Sequence, residues 1–337
     1  MPCYHPLKAY RRTDCNTLSF NKNGQYTNIA APLSLPCGQC TGCRLERSKQ
    51  WAIRCVHEAS LYENNCFITL TYNNENLPKD FSLNKRDFQL FMKRLRKKYV
   101  PTNPYDKKTQ EDQYNQFHKK HEIRFYHCGE YGEPTEFNNY VARPHYHAII
   151  FNHKFKDETL WKTKRGTKLF TSAELEELWP KGFSTIGTVT YDSAGYVARY
   201  LLKKLNLSDK SSPGVKERHQ KQYTHIDHQT GETFPLLPEY TTMSRKPGIA
   251  RAWFEKWGND VFPNDSVVMQ GKERTVPKFY DTIYQNNEPE KFDIIKQKRV
   301  KNMQKHAKDN TPDRLASKEI VKTAQIGKLY REYEQSN

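Results

Sequence analysis

The chain has 337 residues, a formal net charge of +17 and a pI of about 9.4, with 36% hydrophobic and 13% aromatic residues. No apolar run approaches the roughly 18 residues of a membrane span, and Met1-Pro2-Cys3-Tyr4-His5 lacks the apolar core of a signal peptide, so a membrane-embedded or secreted protein is not expected. The positive excess favours an anionic partner, most simply nucleic acid, and a reducing cytoplasm makes the eight cysteines ligands or core residues rather than disulfides.

Residues 1–43 bear cysteines and are punctuated by Pro32, Pro36, Gly38 and Gly42, so they read as loops. A helix is predicted from about Arg44 to Tyr62, with Ala52, Cys55, Val56 and Ala59 as its apolar stripe. Cys66 to Tyr72 is rich in strand formers and predicts a central strand. Asn84 is placed as the N-cap of a helix carrying Phe88, Phe91, Met92, Leu95 and Tyr99 at helical spacing. The other face of that helix is basic, with Arg94 and Lys97 as candidate phosphate contacts. Residues 101–121 read as a polar loop, Ile123 to His127 as a second strand, Gly129 to Asn139 as a turn and Tyr140 to Asn152 as the site of a third strand. A polar helical insert is predicted over 154–180, clearest at Ala173 to Leu178, followed by a strand at Phe183 to Val189 and a helix from about Ser193 to Leu205. Residues 206–235 read as irregular, and Pro247 is placed as a helix-start residue. Lys291 to His306 and Ser317 to Tyr333 are predicted helices of a highly charged tail.

Three constellations stand out. In Arg143-Pro144-His145-Tyr146-His147, the two histidines are two residues apart in a short apolar run. Alternate side chains of a strand share a face, so the two imidazoles lie side by side, as a divalent metal requires. A carboxylate from a neighbouring strand would complete the set, with Glu130 the first choice and Glu133 the second. Two histidines and one carboxylate suit Mg²⁺ or Mn²⁺ when the substrate is a phosphate, and Zn²⁺ also fits such donors. The second constellation is Tyr196-Val197-Ala198-Arg199-Tyr200-Leu201-Leu202-Lys203-Lys204. At helical spacing Tyr196, Tyr200 and Lys203 share one face, with Lys204 close by. A tyrosine hydroxyl is a weak nucleophile at its ordinary pKa of about 10, and a metal and a lysine on the same phosphate would balance the charge that its attack develops. Half-buried tyrosines beside exposed lysines are the plainer reading of such a helix. The third constellation, Cys37-Gly38-Gln39-Cys40-Thr41-Gly42-Cys43, offers three thiolates within seven residues. Structural Zn²⁺ is the leading reading, with Cys3 the best fourth ligand and His5 and Cys15 in reserve; unligated cysteines and, less favoured, an iron–sulfur cluster are the alternatives. Cys55, Cys66 and Cys128 are expected in the core.

These segments resemble the HUH endonuclease superfamily, the metal- and tyrosine-dependent initiators of rolling-circle replication. Phe67-Ile68-Thr69-Leu70-Thr71-Tyr72 resembles its first motif, Arg143 to His147 its second, and Tyr196 to Lys203 its third. The match is closer to the initiators of gokushovirus-type microviruses through Pro36 to Arg44, Gly129-Glu130-Tyr131-Gly132, Met243 to Ile249 and Pro277 to Asp281.

The resemblance implies an α+β fold: a central antiparallel HUH palm flanked by helices packed on one side, with a Cys-rich N-terminal segment and a helical C-terminal extension. The divisions expected are 1–60, 61–210 for the catalytic domain, 211–270 packed on the core, and 271–337 as a charged tail. It also implies nicking of viral single-stranded origin DNA in a bacterial host's cytoplasm, a 5′-phosphotyrosine intermediate, a 3′-hydroxyl primer and recircularisation of the displaced strand. Arg143 and Arg199 join Arg94 and Lys97 as candidate DNA contacts. The sequence contains no G-x-x-x-x-G-K-[ST] motif, so unwinding and extension are assigned to the host's helicase and polymerase. A protein that only binds DNA or RNA, through its basic surface and a zinc knuckle, is the competing reading.

Overall fold

The computed structural model describes residues 3–12, 17–20, 29–132, 142–164, 166–199, 213–226 and 230–327. In chain order the elements are β1 (Leu7–Arg12), β2 (Leu18–Ser19), β3 (Ile29–Leu35), α1 (Thr41–Ala59), β4 (Asn65–Thr71), α2 (Lys85–Tyr99), α3 (Glu111–His121), β5 (Arg124–Tyr131), β6 (Pro144–Phe151), β7 (Thr159–Lys164), β8 (Thr167–Thr171), α4 (Ala173–Leu178), β9 (Ser184–Gly187), α5 (Tyr191–Arg199), α6 (Pro213–Gln222), β10 (Thr224–Ile226), β11 (Thr233–Pro235), β12 (Tyr240–Met243), α7 (Arg251–Val261), β13 (Ser266–Met269), β14 (Lys272–Thr275), α8 (Lys278–Asn287), α9 (Pro289–Gln304) and α10 (Pro312–Gly327). The chain divides into two units, one formed by Met1–Gln50 with Lys278–Tyr330 and the other built mainly from Trp51–Pro277.

The larger unit is α+β. Its seven-stranded sheet has the order β12-β5-β6-β4-β9-β8-β7, and every neighbouring pair is antiparallel. β4, β5 and β6 are buried along almost their whole length, which explains their near-continuous apolar runs. One face of the sheet carries Ile68, Leu70, Tyr146 and Ile150 against Phe88, Phe91, Met92 and Leu95 of α2, with Trp179 beside them. Full burial of each such side chain contributes about 1.5–3 kcal/mol. Polar contacts fix where α2 begins. The Asn84 side chain accepts from the Arg86 amide as N-cap. The Tyr146 hydroxyl accepts from the Asn84 amide at 2.9 Å, and the Tyr72 hydroxyl donates to Asp87 at 2.7 Å.

The opposite face is covered as well, which corrects the expectation of helices on one side only. Trp51 of α1 stacks on Tyr126 of β5 at 4.9 Å between ring centroids. A buried ion pair joins the same helix and strand: Arg124 Nε lies 2.6 Å from Glu58 Oε1, and both side chains are at most 3% exposed. The Arg124 guanidinium also donates to the Pro247 carbonyl at 2.6 Å, and Glu58 accepts from the Ala250 amide at 2.5 Å. Each charge therefore has several partners, and removing one leaves the other stranded in a low dielectric. Arg124→Met is expected to destabilise the fold by about 3–5 kcal/mol, with partial recovery in Glu58→Gln/Arg124→Met. Urea unfolding of the three chains checks this, and an unchanged midpoint in Arg124→Met would contradict it.

Several local expectations are corrected. Gly129 is not a turn residue: β5 runs through it to Tyr131. A Cβ at this glycine would sit 2.9 Å from the Tyr240 ring and 3.0 Å from Leu83, so close packing explains the glycine. The 154–180 insert is mainly a hairpin, β7–β8, with only α4 helical. The 101–121 loop contains α3, a helix with no buried residue and so no apolar stripe to reveal it. Within 206–235, α6, β10 and β11 are regular elements. Pro247 follows a cis peptide bond and precedes α7, which starts at Arg251.

The smaller unit contains the antiparallel sheet β2-β1-β3, the start of α1, and the C-terminal helices. Tyr280 and Ile283 of α8, Phe292 and Ile295 of α9, and Leu315 of α10 are buried. Arg299 of α9 donates to both carboxylate oxygens of Asp281 on α8 at 2.9 Å each. No helix among the described residues is long and apolar enough to cross a membrane.

Candidate metal and tyrosine site

The pairing of three central strands builds the site. In the β5–β6 register, Glu130 stands opposite His145 and Cys128 opposite His147. In the β4–β6 register, Thr69 stands opposite His147. Strand alternation therefore brings Glu130, His145, His147 and Thr69 to one face, while Tyr146 points into the α2 core. His145 Nε2 lies 2.9 Å from Glu130 Oε1, and His147 Nε2 lies 2.8 Å from the same oxygen. Glu130 and His147 are buried, and His145 is 12% exposed at its side chain, which makes it the edge nearest solvent.

The other nitrogen of each ring is occupied. His147 Nδ1 is 2.9 Å from the Thr69 hydroxyl. His145 Nδ1 faces the Arg143 carbonyl at 3.3 Å, an acceptor only, so a proton held at Nδ1 leaves Nε2 as the nitrogen for a metal. Two imidazole nitrogens and one carboxylate oxygen, all within 4.8 Å of one another, form a donor set that suits a divalent cation. Burial works against the Glu130 charge, but His145 and then His147 outweigh it and hold the carboxyl below its ordinary range.

Tyr196 reaches the site from α5. This helix opens with a reciprocal cap: the Ser193 amide donates to the Thr190 hydroxyl at 3.0 Å, and the Thr190 amide donates to the Ser193 hydroxyl at 2.8 Å. Its start thus precedes the predicted Ser193. Gly195 lies against α1, where an added Cβ would be 3.8 Å from that of Ala52. The buried Tyr196 ring stands edge-on to His147, with centroids 5.1 Å apart. Phe67 of β4 stacks along His147 at 5.6 Å and meets Tyr196 edge-on at 6.4 Å. Phe67 and Thr69 are positioning residues not singled out individually from the sequence. Their signal is the alternation of Phe67, Thr69 and Thr71 along β4, which acquires meaning only once the register is known.

The remaining candidates are distributed as follows. Arg143 donates to the Asn74 side chain at 2.7 Å and the Tyr72 carbonyl at 3.0 Å, next to His145 in the chain. Arg94 directs two N–H groups to the Leu178 carbonyl, at 2.9 and 2.7 Å, joining α2 to α4. Lys97 is exposed on α2, the helix packed against the sheet face opposite the histidines. Tyr200, Lys203, Lys204 and Glu133 lie outside the described residues, as does the side chain of Arg199. The Cys3, Cys37, Cys40 and Cys43 sulfurs form a second cluster, in the smaller unit.

Comparison with known proteins places the chain in a family. A family model described as replication-associated protein ORF2/G2P matches residues 65–205, the stretch that holds β4, β5, β6 and α5. The replication-associated protein VP4 of Bdellovibrio phage phiMH2K is 31% identical over 294 residues, covering 87% of this chain and 80% of that protein. The chain belongs to the microvirus-type replication initiators. This initiator is also 30% identical over 322 residues to the replication-associated protein ORF2 of Spiroplasma virus 4, covering 89% of this chain and 86% of that one. Against the replication-associated protein ORF4 of Chlamydia phage 1, identity is 30% over 220 residues, or 62% and 49% of the two chains. No solved structure matches the initiator.

Proposed function

We propose that this replication initiator is an HUH-type nicking enzyme and strand transferase that opens and closes rolling-circle replication. The observation that carries the reading is the convergence of His145 and His147 on one buried Glu130 oxygen beside the Tyr196 ring. The proposed substrate is single-stranded viral origin DNA, in keeping with relatives described as replication-associated proteins of phages.

Glu130, His145 and His147 would hold Mg²⁺ or Mn²⁺ between the strands. When bound, the cation polarises the scissile phosphate and offsets charge developing on it. Thr69 keeps the His147 ring oriented through Nδ1, so that Nε2 faces the carboxylate. The hydroxyl of Tyr196 loses its proton, and its oxygen attacks phosphorus and forms a P–O bond as the P–O3′ bond breaks, so that one proton is released at the tyrosine for the one taken up by the 3′ oxygen. The departing 3′ oxygen takes up a proton and becomes the primer hydroxyl, and the 5′ phosphate remains esterified to the tyrosine. Tyr200, four residues further along the sequence, acts as the second nucleophile while the first ester is intact. Attack by a free 3′-hydroxyl on the ester reverses the step and joins the strand. Lys203, with Lys204, offers positive charge to the phosphate. Arg143 and Arg199 are proposed contacts to the DNA backbone, whereas Arg94, hydrogen-bonded to the Leu178 carbonyl, and Lys97 lie on the helix covering the opposite sheet face and are not assigned that role. Helicase and polymerase activities come from the host, in whose cytoplasm the protein works.

A metal-dependent, site-specific nick in single-stranded origin DNA tests this reading. A chelator-treated chain that cleaves at the full rate would remove the metal from it. Thr69→Val keeps the side-chain shape and removes the hydroxyl at His147. It is expected to weaken Mn²⁺ binding by about 10- to 100-fold, measured by titration of the full chain, and unchanged affinity would contradict the role given to Thr69. The binding-only reading draws on the charge of +17 and the cysteine cluster, and leaves the His–Glu–Tyr geometry without a use.

A further inference from the structure

The second cluster of potential ligands, in the smaller unit, has no part in the chemistry above. Cys3, Cys37, Cys40 and Cys43 each bring a sulfur to one point, and all four lie within 4.8 Å of one another. The Cys3–Cys40 edge is 3.9 Å. A tetrahedron with metal–sulfur bonds of about 2.3 Å has edges of about 3.8 Å. The described cysteines are all thiols rather than disulfides. We infer that these four thiolates bind a structural Zn²⁺ that clamps the N-terminal sheet to the start of α1.

Backbone geometry favours charge on the sulfurs. The Cys37 amide donates to Cys3 Sγ at 3.2 Å and the Tyr4 amide to Cys40 Sγ at 3.3 Å. Cys37 Sγ accepts from the Gln39 amide at 3.4 Å and the Cys40 amide at 3.2 Å. Gly38 has φ of +74°, the left-handed conformation that allows the chain to curl around Cys37. Cys43 lies in the first turn of α1, whose positive dipole end favours an anionic centre. Cys3 and Cys40 are buried, so thiolates there need a cation, and sulfur donors select a soft one.

Cys3, rather than the reserve ligand His5, is the fourth donor. His5 Nε2 faces Glu319 at 2.6 Å and is largely exposed, while Cys3 lies within the sulfur cluster. Four protein donors fill a tetrahedral zinc sphere and leave no open position, which makes the site structural. Its place explains its use. β1 and β3 pair so that Leu7 stands opposite Leu35, and the ligands lie just outside that end of the pair, at Cys3 and from Cys37 onward. The metal would therefore close the pair where its strands would otherwise fray. The four thiols release their protons as the metal binds.

The test is metal analysis of the full-length chain purified without chelator. About one zinc per chain is expected for a closed site. It should be retained in His145→Ala/His147→Ala, which separates it from any cation between the strands, and lost from Cys40→Ser and Cys3→Ser. Exchange into cobalt should give the intense thiolate charge-transfer bands and tetrahedral d–d spectrum of four-sulfur coordination. This reading on the wild-type chain decides the matter even if the serine variants do not fold. A zinc-free native chain, iron with labile sulfide, a cobalt spectrum without thiolate bands, or zinc lost with the histidines and kept without the cysteines would overturn the inference.

Discussion

Replacing His147 by alanine is expected to lower the rate of origin cleavage by at least about a thousand-fold, the loss that follows when several kcal/mol of charge stabilisation at a phosphate disappear. His147 is the more buried of the two histidines, and its Nε2 lies 2.8 Å from Glu130 Oε1. Its removal takes away one nitrogen donor and one of the partners of the buried carboxylate. Glu130→Gln is the milder probe, because the amide has nearly the same volume and lacks the charge. It should leave the fold intact and weaken Mn²⁺ binding and cleavage together. Single-turnover cleavage across a Mn²⁺ titration, alongside urea unfolding, separates loss of the metal from loss of the fold. Cleavage by His147→Ala at the wild-type rate and the wild-type Mn²⁺ midpoint would refute the assignment of the metal site.

The second large effect concerns the nucleophiles. Tyr196→Phe retains the ring that packs edge-on to His147 and Phe67 and removes only the hydroxyl. Stability should change little, while ester formation through this residue stops. Tyr200, four residues further along the sequence, is the second proposed nucleophile, so each single variant is expected to keep part of the adduct. The double variant should fall by at least about a thousand-fold, since neither proposed nucleophile remains. Mass spectrometry of the peptide joined to DNA identifies the residue used. Linkage through a serine, or an undiminished adduct in Tyr196→Phe/Tyr200→Phe, would contradict the two-tyrosine scheme.

Local periodicity accounts for what could be read from the sequence. The His145–His147 face follows from strand alternation, and α2 from a capped run with apolar spacing at Phe88, Phe91, Met92 and Leu95. The pairing of Glu130 with His145 depends on the β5–β6 register, which neither strand encodes alone. Thr69 was equally obscure, because its contact with His147 arises 78 residues away in the chain. Gly129 looked like a turn because its real reason, the Tyr240 ring, is contributed by a strand more than a hundred residues later. α3 buries nothing and so carries no stripe. The β7–β8 hairpin has the exposed apolar residues Leu160 and Trp161 among polar ones, a pattern with little periodicity to distinguish strand from helix.

Nicking, ester formation and metal dependence meet in one experiment. Single-stranded origin DNA, labelled on the 3′ side of the nick, is incubated with the full chain and Mn²⁺ or Mg²⁺ and resolved on a denaturing gel. The predicted result is a labelled band at the mass of protein plus the 3′ fragment, abolished by chelator, by His147→Ala and by Tyr196→Phe/Tyr200→Phe. Tight binding of the same DNA by a folded, metal-supplied chain, with neither cleavage nor adduct, would contradict the enzyme and leave a protein that only binds.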